Sequence, residues 1–93
     1  MKELTPALRE QYRISLLRYL ATTHPRPLTE GVLLQFLRTE WSQPVDQETL
    51  AGLSSYLADK GLIVEGQKSI SPEVKSWRIT AAGMDEFARI CGA

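Results

Sequence analysis

The side chains with most scope for chemistry in this 93-residue chain are scattered cations, amides and hydroxyls rather than a catalytic set. Lys60, Lys68, Lys75 and Arg78 fall close together in its second half, and cations of this kind neutralise phosphate oxygens. Gln47, Thr49, Ser54, Ser55 and Ser69 supply the amide and hydroxyl groups that can exchange hydrogen bonds with base edges or phosphates. Interleaved with them, Glu48, Ala51, Gly52, Ser55 and Asp59 make a small-residue, acidic set at helical spacing. Its small side chains permit close approach to DNA or to a protein surface.

Catalysis has no comparable candidate. His24 is the only histidine. A general base needs a nucleophile and an orienting acid, neither of which is recognisable, so His24 reads as a loop residue in a proline-rich connector. Cys91 is the only cysteine, which excludes an intramolecular disulfide and a cysteine-based zinc site; near the end of the chain it is expected to be an inert thiol. There is no phosphate loop, paired-carboxylate site, metal cluster or nucleotide fingerprint, so neither an enzyme nor a metal or cofactor is expected. The opening MKELTPALREQYR lacks the apolar core of a signal peptide. No run approaches the ~18 apolar residues of a membrane span. No membrane contact is expected, and by exclusion the chain is read as cytoplasmic.

The elements that must position these groups can be read from caps and periodicity. Hydrophobic content of 43 % suits one globular domain over residues 1–93. Thr5-Pro6 starts a first helix with an apolar stripe of Leu8, Tyr12, Leu16, Tyr19 and Leu20, widened by Ile14 and Leu17, ending near Thr22 or Thr23. Arg9, Arg13 and Arg18 read as its solvated face, with Glu10 and Arg13 at pair spacing. His24-Pro25-Arg26-Pro27 forces extended backbone, which can add a short strand. Thr29 caps a second helix, about Glu30 to Glu40, expected to bury Val32, Leu33, Phe36 and Leu37. Trp41 favours the core over a role as an exposed anchor. Asp46 caps a third helix from Gln47 to about Lys60, with Val45 and Leu50 as a hydrophobic staple and Leu50, Leu53 and Leu57 as its narrow apolar face. Gly61 suits a left-handed stop. Leu62-Ile63-Val64 and Val74 to Thr80 read as two strands joined through Ser71-Pro72, with Trp77 packing the hairpin onto the helices. Thr80 caps a last helix from Ala81 to about Ile90, with Met84, Phe87 and Ala88 or Ile90 expected inside.

Two segments carry a resemblance. Leu57-Ala58-Asp59-Lys60-Gly61-Leu62-Ile63 is similar to the Leu-x-x-x-Gly-Leu-Ile piece, and Trp77-Arg78-Ile79-Thr80-Ala81-Ala82-Gly83 to the aromatic-x-aliphatic-Thr-x-x-Gly piece, of multiple-antibiotic-resistance-type, phenolic-acid-type and arsenical-type regulators. In order, and separated by a hairpin-sized loop, they resemble the winged helix-turn-helix superfamily over roughly residues 8–90. In outline the chain is also similar to small winged-helix proteins of Mu-like prophages. The resemblance implies an α+β, mainly helical fold: a three-helix core, a β-hairpin wing at 62–80 and a C-terminal helix. It also implies a recognition helix at 47–60, a wing near phosphates, duplex DNA as partner, and a homodimer formed through the first or last helix.

Charge does not uniformly favour that partner. Formal net charge is zero, so no global field draws the chain to a polyanion. Residues 46–66 set Lys60 against Asp46, Glu48, Asp59 and Glu65, net −3, whereas residues 67–80 set Lys68, Lys75 and Arg78 against Glu73, net +2. The hairpin is basic and the third helix acidic. Two readings therefore stand: a DNA-binding regulator, with Gln47, Thr49, Ser54, Ser55, Lys60, Lys68, Ser69, Lys75 and Arg78 as contacts, or a winged helix repurposed for a protein partner through Glu48, Ala51, Gly52, Ser55 and Asp59.

Overall fold

A computed structural model describes residues 5–42, 44–66 and 75–91. Each of the four helices among the described residues begins where a side-chain oxygen can accept from an otherwise unpaired backbone amide. In α1 (Pro6–Thr23), Thr5 accepts from the Leu8 amide at 3.1 Å. In α2 (Glu30–Trp41), Thr29 accepts from the Val32 amide at 3.3 Å. In α3 (Gln47–Asp59), Asp46 accepts from the Thr49 amide at 2.8 Å. In α4 (Ala81–Ile90), Thr80 accepts from the Gly83 amide at 3.0 Å. Val45 and Leu50 are both buried, as a hydrophobic staple beside the Asp46 cap requires.

The strands are β1 (Leu28–Thr29), β2 (Ile63–Glu65) and β3 (Ser76–Ile79), in the antiparallel order β1-β3-β2. Leu28 pairs with Trp77, and Ile63 with Ile79. A third strand does form, but at Leu28–Thr29, after the proline stretch: His24 and Pro25 turn, with the Arg26 amide donating to the Thr23 carbonyl at 2.7 Å. β2 is shifted by one residue, starting at Ile63 and reaching Glu65, and β3 is shorter than expected, running only from Ser76 to Ile79. Val74, Lys68, Ser69 and the Ser71-Pro72 turn lie outside the described residues.

The core is a layer of leucines between α1, α2 and α3, closed on one side by the sheet. Tyr12, Leu16, Leu17, Leu20, Leu33, Leu37, Leu50, Leu57 and Ile79 are almost fully buried, each aliphatic side chain contributing about 1.5–3 kcal/mol on leaving water. Trp77 is buried in the same cluster, and Trp41 packs against it, edge-on to Tyr12 with ring centroids 5.5 Å apart and with its indole N–H donating to the Ser15 hydroxyl at 3.1 Å.

Three expectations about the interior are corrected. α2 buries Leu33, Leu34 and Leu37; Val32 and Phe36 are exposed. At about 100° per residue, turning 33, 34 and 37 inward carries 36 to the flank, where Phe36 meets Tyr19 edge-on at 5.3 Å, and 32 to the outer side. In α3 the buried stripe is Leu50, Leu53, Ser54 and Leu57. Ser54 is 1 % exposed, so it fills the core and is removed from the set of surface contacts. In α4 Met84 and Phe87 pack only partly against the core, and Ile90 is exposed; the closest seat belongs to buried Gly83.

The two segments that carried the resemblance meet in space. α3 ends in a Schellman arrangement: the Gly61 amide donates to the Ala58 carbonyl at 2.9 Å and the Leu62 amide to the Leu57 carbonyl at 3.0 Å, with Gly61 at φ +76°. The Thr80 amide donates to the Leu62 carbonyl at 3.0 Å. The Thr80 hydroxyl lies 2.7 Å from the Gly61 carbonyl and 3.0 Å from that of Leu62. A Cβ on Gly83 would stand 2.1 Å from the Leu62 carbonyl oxygen. Gly61, Thr80 and Gly83 therefore join the end of α3 to the start of α4.

Candidate nucleic-acid interface

α3 buries one face and leaves the other uncovered. Gln47, Glu48, Ala51, Gly52, Ser55, Tyr56, Asp59 and Lys60 are exposed, and Thr49 is half-buried. A Cβ added at Gly52 would meet nothing within 4 Å. Asp46 holds the start of this surface, and its carboxyl lies below the ordinary value of 3.8 because the Thr49 hydroxyl and amide both donate to it. From α2, the Arg38 guanidinium donates to the Val45 carbonyl at 2.7 Å, which fixes the turn leading into α3.

Glu30, the first residue of α2, ties this surface to the sheet. One carboxylate oxygen accepts from the Gln47 amide nitrogen at 3.0 Å, and the other accepts from the Trp77 indole at 2.9 Å. The Glu30 amide donates to the Lys75 carbonyl at 3.0 Å. A single residue thus fixes the start of α2, the start of α3 and the hairpin relative to one another. Sequence reasoning missed it: a glutamate after an N-cap threonine is ordinary helix chemistry, and the side chains it binds lie 17 and 47 positions away.

Lys75 and Arg78 are exposed. Arg78 faces Val64 across the hairpin, with Trp77 and Ile79 on either side buried, so it stands on the outer face of the sheet. Neither cation forms an ion pair among the described residues. Lys60 is placed differently, at the C-terminal end of α3 with its ammonium 5.5 Å from the Tyr56 ring centroid. The same ring is also met by Arg13, 3.6 Å from the centroid, which pairs with Glu10 at 3.5 Å. Arg13 is therefore packed between α1 and α3 rather than merely solvated. These groups border a 330 Å³ hollow between α1, α3 and α4, floored by Leu57 and Leu62. Arg13 and Lys60 line it together with Glu10 and Glu86, so it presents no uniform field to an anion.

Of the sequence-derived contacts, Gln47, Thr49 and Ser55 share the α3 surface, Lys75 and Arg78 lie on the adjoining hairpin, and Lys60 sits at the far end. Ser54 is internal, and Lys68 and Ser69 lie outside the described residues. The alternative set, Glu48, Ala51, Gly52, Ser55 and Asp59, is exposed throughout.

This geometry, a three-helix core with a free third helix beside a small sheet, is that of a winged helix. The chain superposes on a candidate transcriptional regulator from Thermoplasma acidophilum with a TM-score of 0.79 at 16 % identity, covering 94 % of this chain and 81 % of that one. It matches a transcriptional regulator from Clostridium thermocellum with a TM-score of 0.76 at 15 % identity, covering 98 % and 86 %. A PadR-family transcriptional regulator from Eggerthella lenta matches with a TM-score of 0.67 at 18 % identity, covering 92 % and 74 %. No family model and no curated protein matches the sequence. The fold is accordingly winged helix, α+β and mainly helical. Among the described residues, no helix is long and apolar enough to cross a membrane.

Proposed function

We propose that this chain is a small DNA-binding regulator of transcription that inserts α3 into the major groove of a duplex and sets its hairpin beside the phosphates. The observation that carries the reading is the uncovered face of α3, held at its N-terminal end to the hairpin by Glu30. A recognition helix needs this arrangement: one face in the core, the other free, and the first turn rigidly placed. Gln47, Thr49 and Ser55 are the candidate base and phosphate contacts on the helix. Lys75 and Arg78, with Lys68 and Ser69 beyond the described residues, supply the hairpin contacts, and Lys60 a peripheral one. The solved structures it resembles include transcriptional regulators. A cytoplasmic site and a bacterial or prophage setting belong to the same proposal.

The proposal includes a homodimer. Specific binders of modest size make on the order of 6–10 phosphate contacts, and one copy offers Lys60, Lys68, Lys75 and Arg78. Two copies, joined through α1 or α4, reach that number.

An NMR titration of the full chain with generic duplex DNA at two salt concentrations tests the reading. Shifts should centre on α3 and the hairpin and fade steeply at the higher salt. Unchanged amide signals at low salt reject it.

A protein-interaction module is the second reading. The observation favouring it is that Glu48 and Asp59 are exposed on α3 and form no ion pair among the described residues, so they repel phosphate. Gly52→Arg separates the two. It adds a cation to open surface, which should strengthen duplex binding in a DNA reader and abolish partner capture in an interaction module.

A further inference from the structure

We infer that Glu30 orients the Gln47 carboxamide as an adenine reader, so that the preferred duplex carries an A·T pair facing the start of α3. The inference rests on the DNA-binding reading above. Both residues occupy the first position of a capped helix, and their side chains meet at 3.0 Å. The Trp77 indole holds the other oxygen of Glu30 at 2.9 Å, so the carboxylate cannot swing away without leaving a buried donor unpaired.

A carboxylate only accepts hydrogen bonds. The end of Gln47 that faces it must be the NH₂ group, which removes the two-fold freedom of a terminal amide. One N–H and the carbonyl oxygen of Gln47 then remain, without partners among the described residues, on an exposed side chain in the first turn of the candidate recognition helix. An adjacent donor and acceptor in one plane complement the N7 acceptor and N6 donor of adenine. Guanine presents two acceptors there, so the Gln47 carbonyl would oppose its O6. Cytosine and thymine each satisfy only one of the two groups. Glu30 is thus a positioning residue, and Gln47 the residue it positions.

The experiment selects bound duplexes from a randomised pool with the full chain and its Glu30→Ala, Gln47→Ala and Glu30→Ala/Gln47→Ala variants. It also measures affinity against salt on a duplex lacking the selected base. The wild-type chain should favour adenine at one position over guanine by about 5- to 150-fold, the range of a good bidentate contact. Gln47→Ala should erase that preference, Glu30→Ala should reduce it, and the double variant should be no worse than Gln47→Ala. In each variant the loss of affinity should be larger on the selected duplex than on the duplex lacking the selected base. An intact preference in Glu30→Ala, or an equal loss of affinity for every duplex, overturns the inference. Gln47→Met removes the amide without setting a charge against Glu30, whose bond to Trp77 it leaves in place, and retained adenine preference there also overturns the inference. Duplex binding without adenine selection by the wild-type chain rejects the inference alone, whereas absence of duplex binding rejects the DNA reading and the inference together.

Discussion

Asp46 shows how one half-buried side chain makes stability depend on pH. Its carboxyl is held below the ordinary value by the Thr49 hydrogen bonds, so its contribution is complete above about pH 4 and fades as pH falls through the lowered value. Glu40 adds to the same window. Burial opposes its charge, yet hydrogen bonds from Tyr19 and Arg18 leave it below 4.5. Urea midpoints should therefore drop on acidification below about pH 4, and Asp46→Asn, which keeps an N-cap acceptor, should flatten part of that drop. The partner group on α1 responds in the opposite sense: burial and the bond to Glu40 push the Tyr19 phenol up to about 12. The glycines give a second residue-scale test. Gly52 lies in mid-helix facing open space, so Gly52→Ala should stabilise by about 0.5–1 kcal/mol. Gly83→Ala drives a methyl into the Leu62 carbonyl and should cost about 1–3 kcal/mol. Urea denaturation of the two variants reads both signs.

At the scale of elements, the junction between α3 and α4 and the clasp at Glu30 hold the candidate interface from its two ends. Thr80 both caps α4 and binds the carbonyls that follow α3. Thr80→Ala should cost about 1–2 kcal/mol, the upper half of the range for a lost cap, and hydrogen exchange should show the loss at the Gly83 and Leu62 amides first. Much of this level was legible in the sequence: all four caps, the glycine stop and the staple depend on local backbone chemistry. The inward face of α2 was not, because Val32, Leu33, Leu34, Phe36 and Leu37 offer more apolar positions than one helix face can bury. Ser54 was misread for the converse reason. A serine between leucines looks like surface until the rotation of the helix places it in the stripe.

For the whole molecule, zero net charge conceals opposed regions, a basic hairpin and an acidic helix. If duplex DNA is the partner, Lys75→Glu and Arg78→Glu should each weaken binding to all sequences alike and reduce the salt slope by about one unit, as read by anisotropy over a salt series. Dimer formation would appear as a concentration-dependent sedimentation coefficient. The sequence by itself determined the order of elements, their caps and the winged-helix outline, because caps, glycine stops and apolar periodicity act within a few residues. It also exposed the charge division between helix and hairpin. Only the tertiary structure decided which candidate groups share a surface: it withdrew Ser54, set Arg13 and Lys60 on one tyrosine ring, and brought Glu30 against Gln47 and Trp77. Those contacts join residues far apart in the chain, and packing of the helices against the sheet, not any local pattern, brings them within hydrogen-bonding distance.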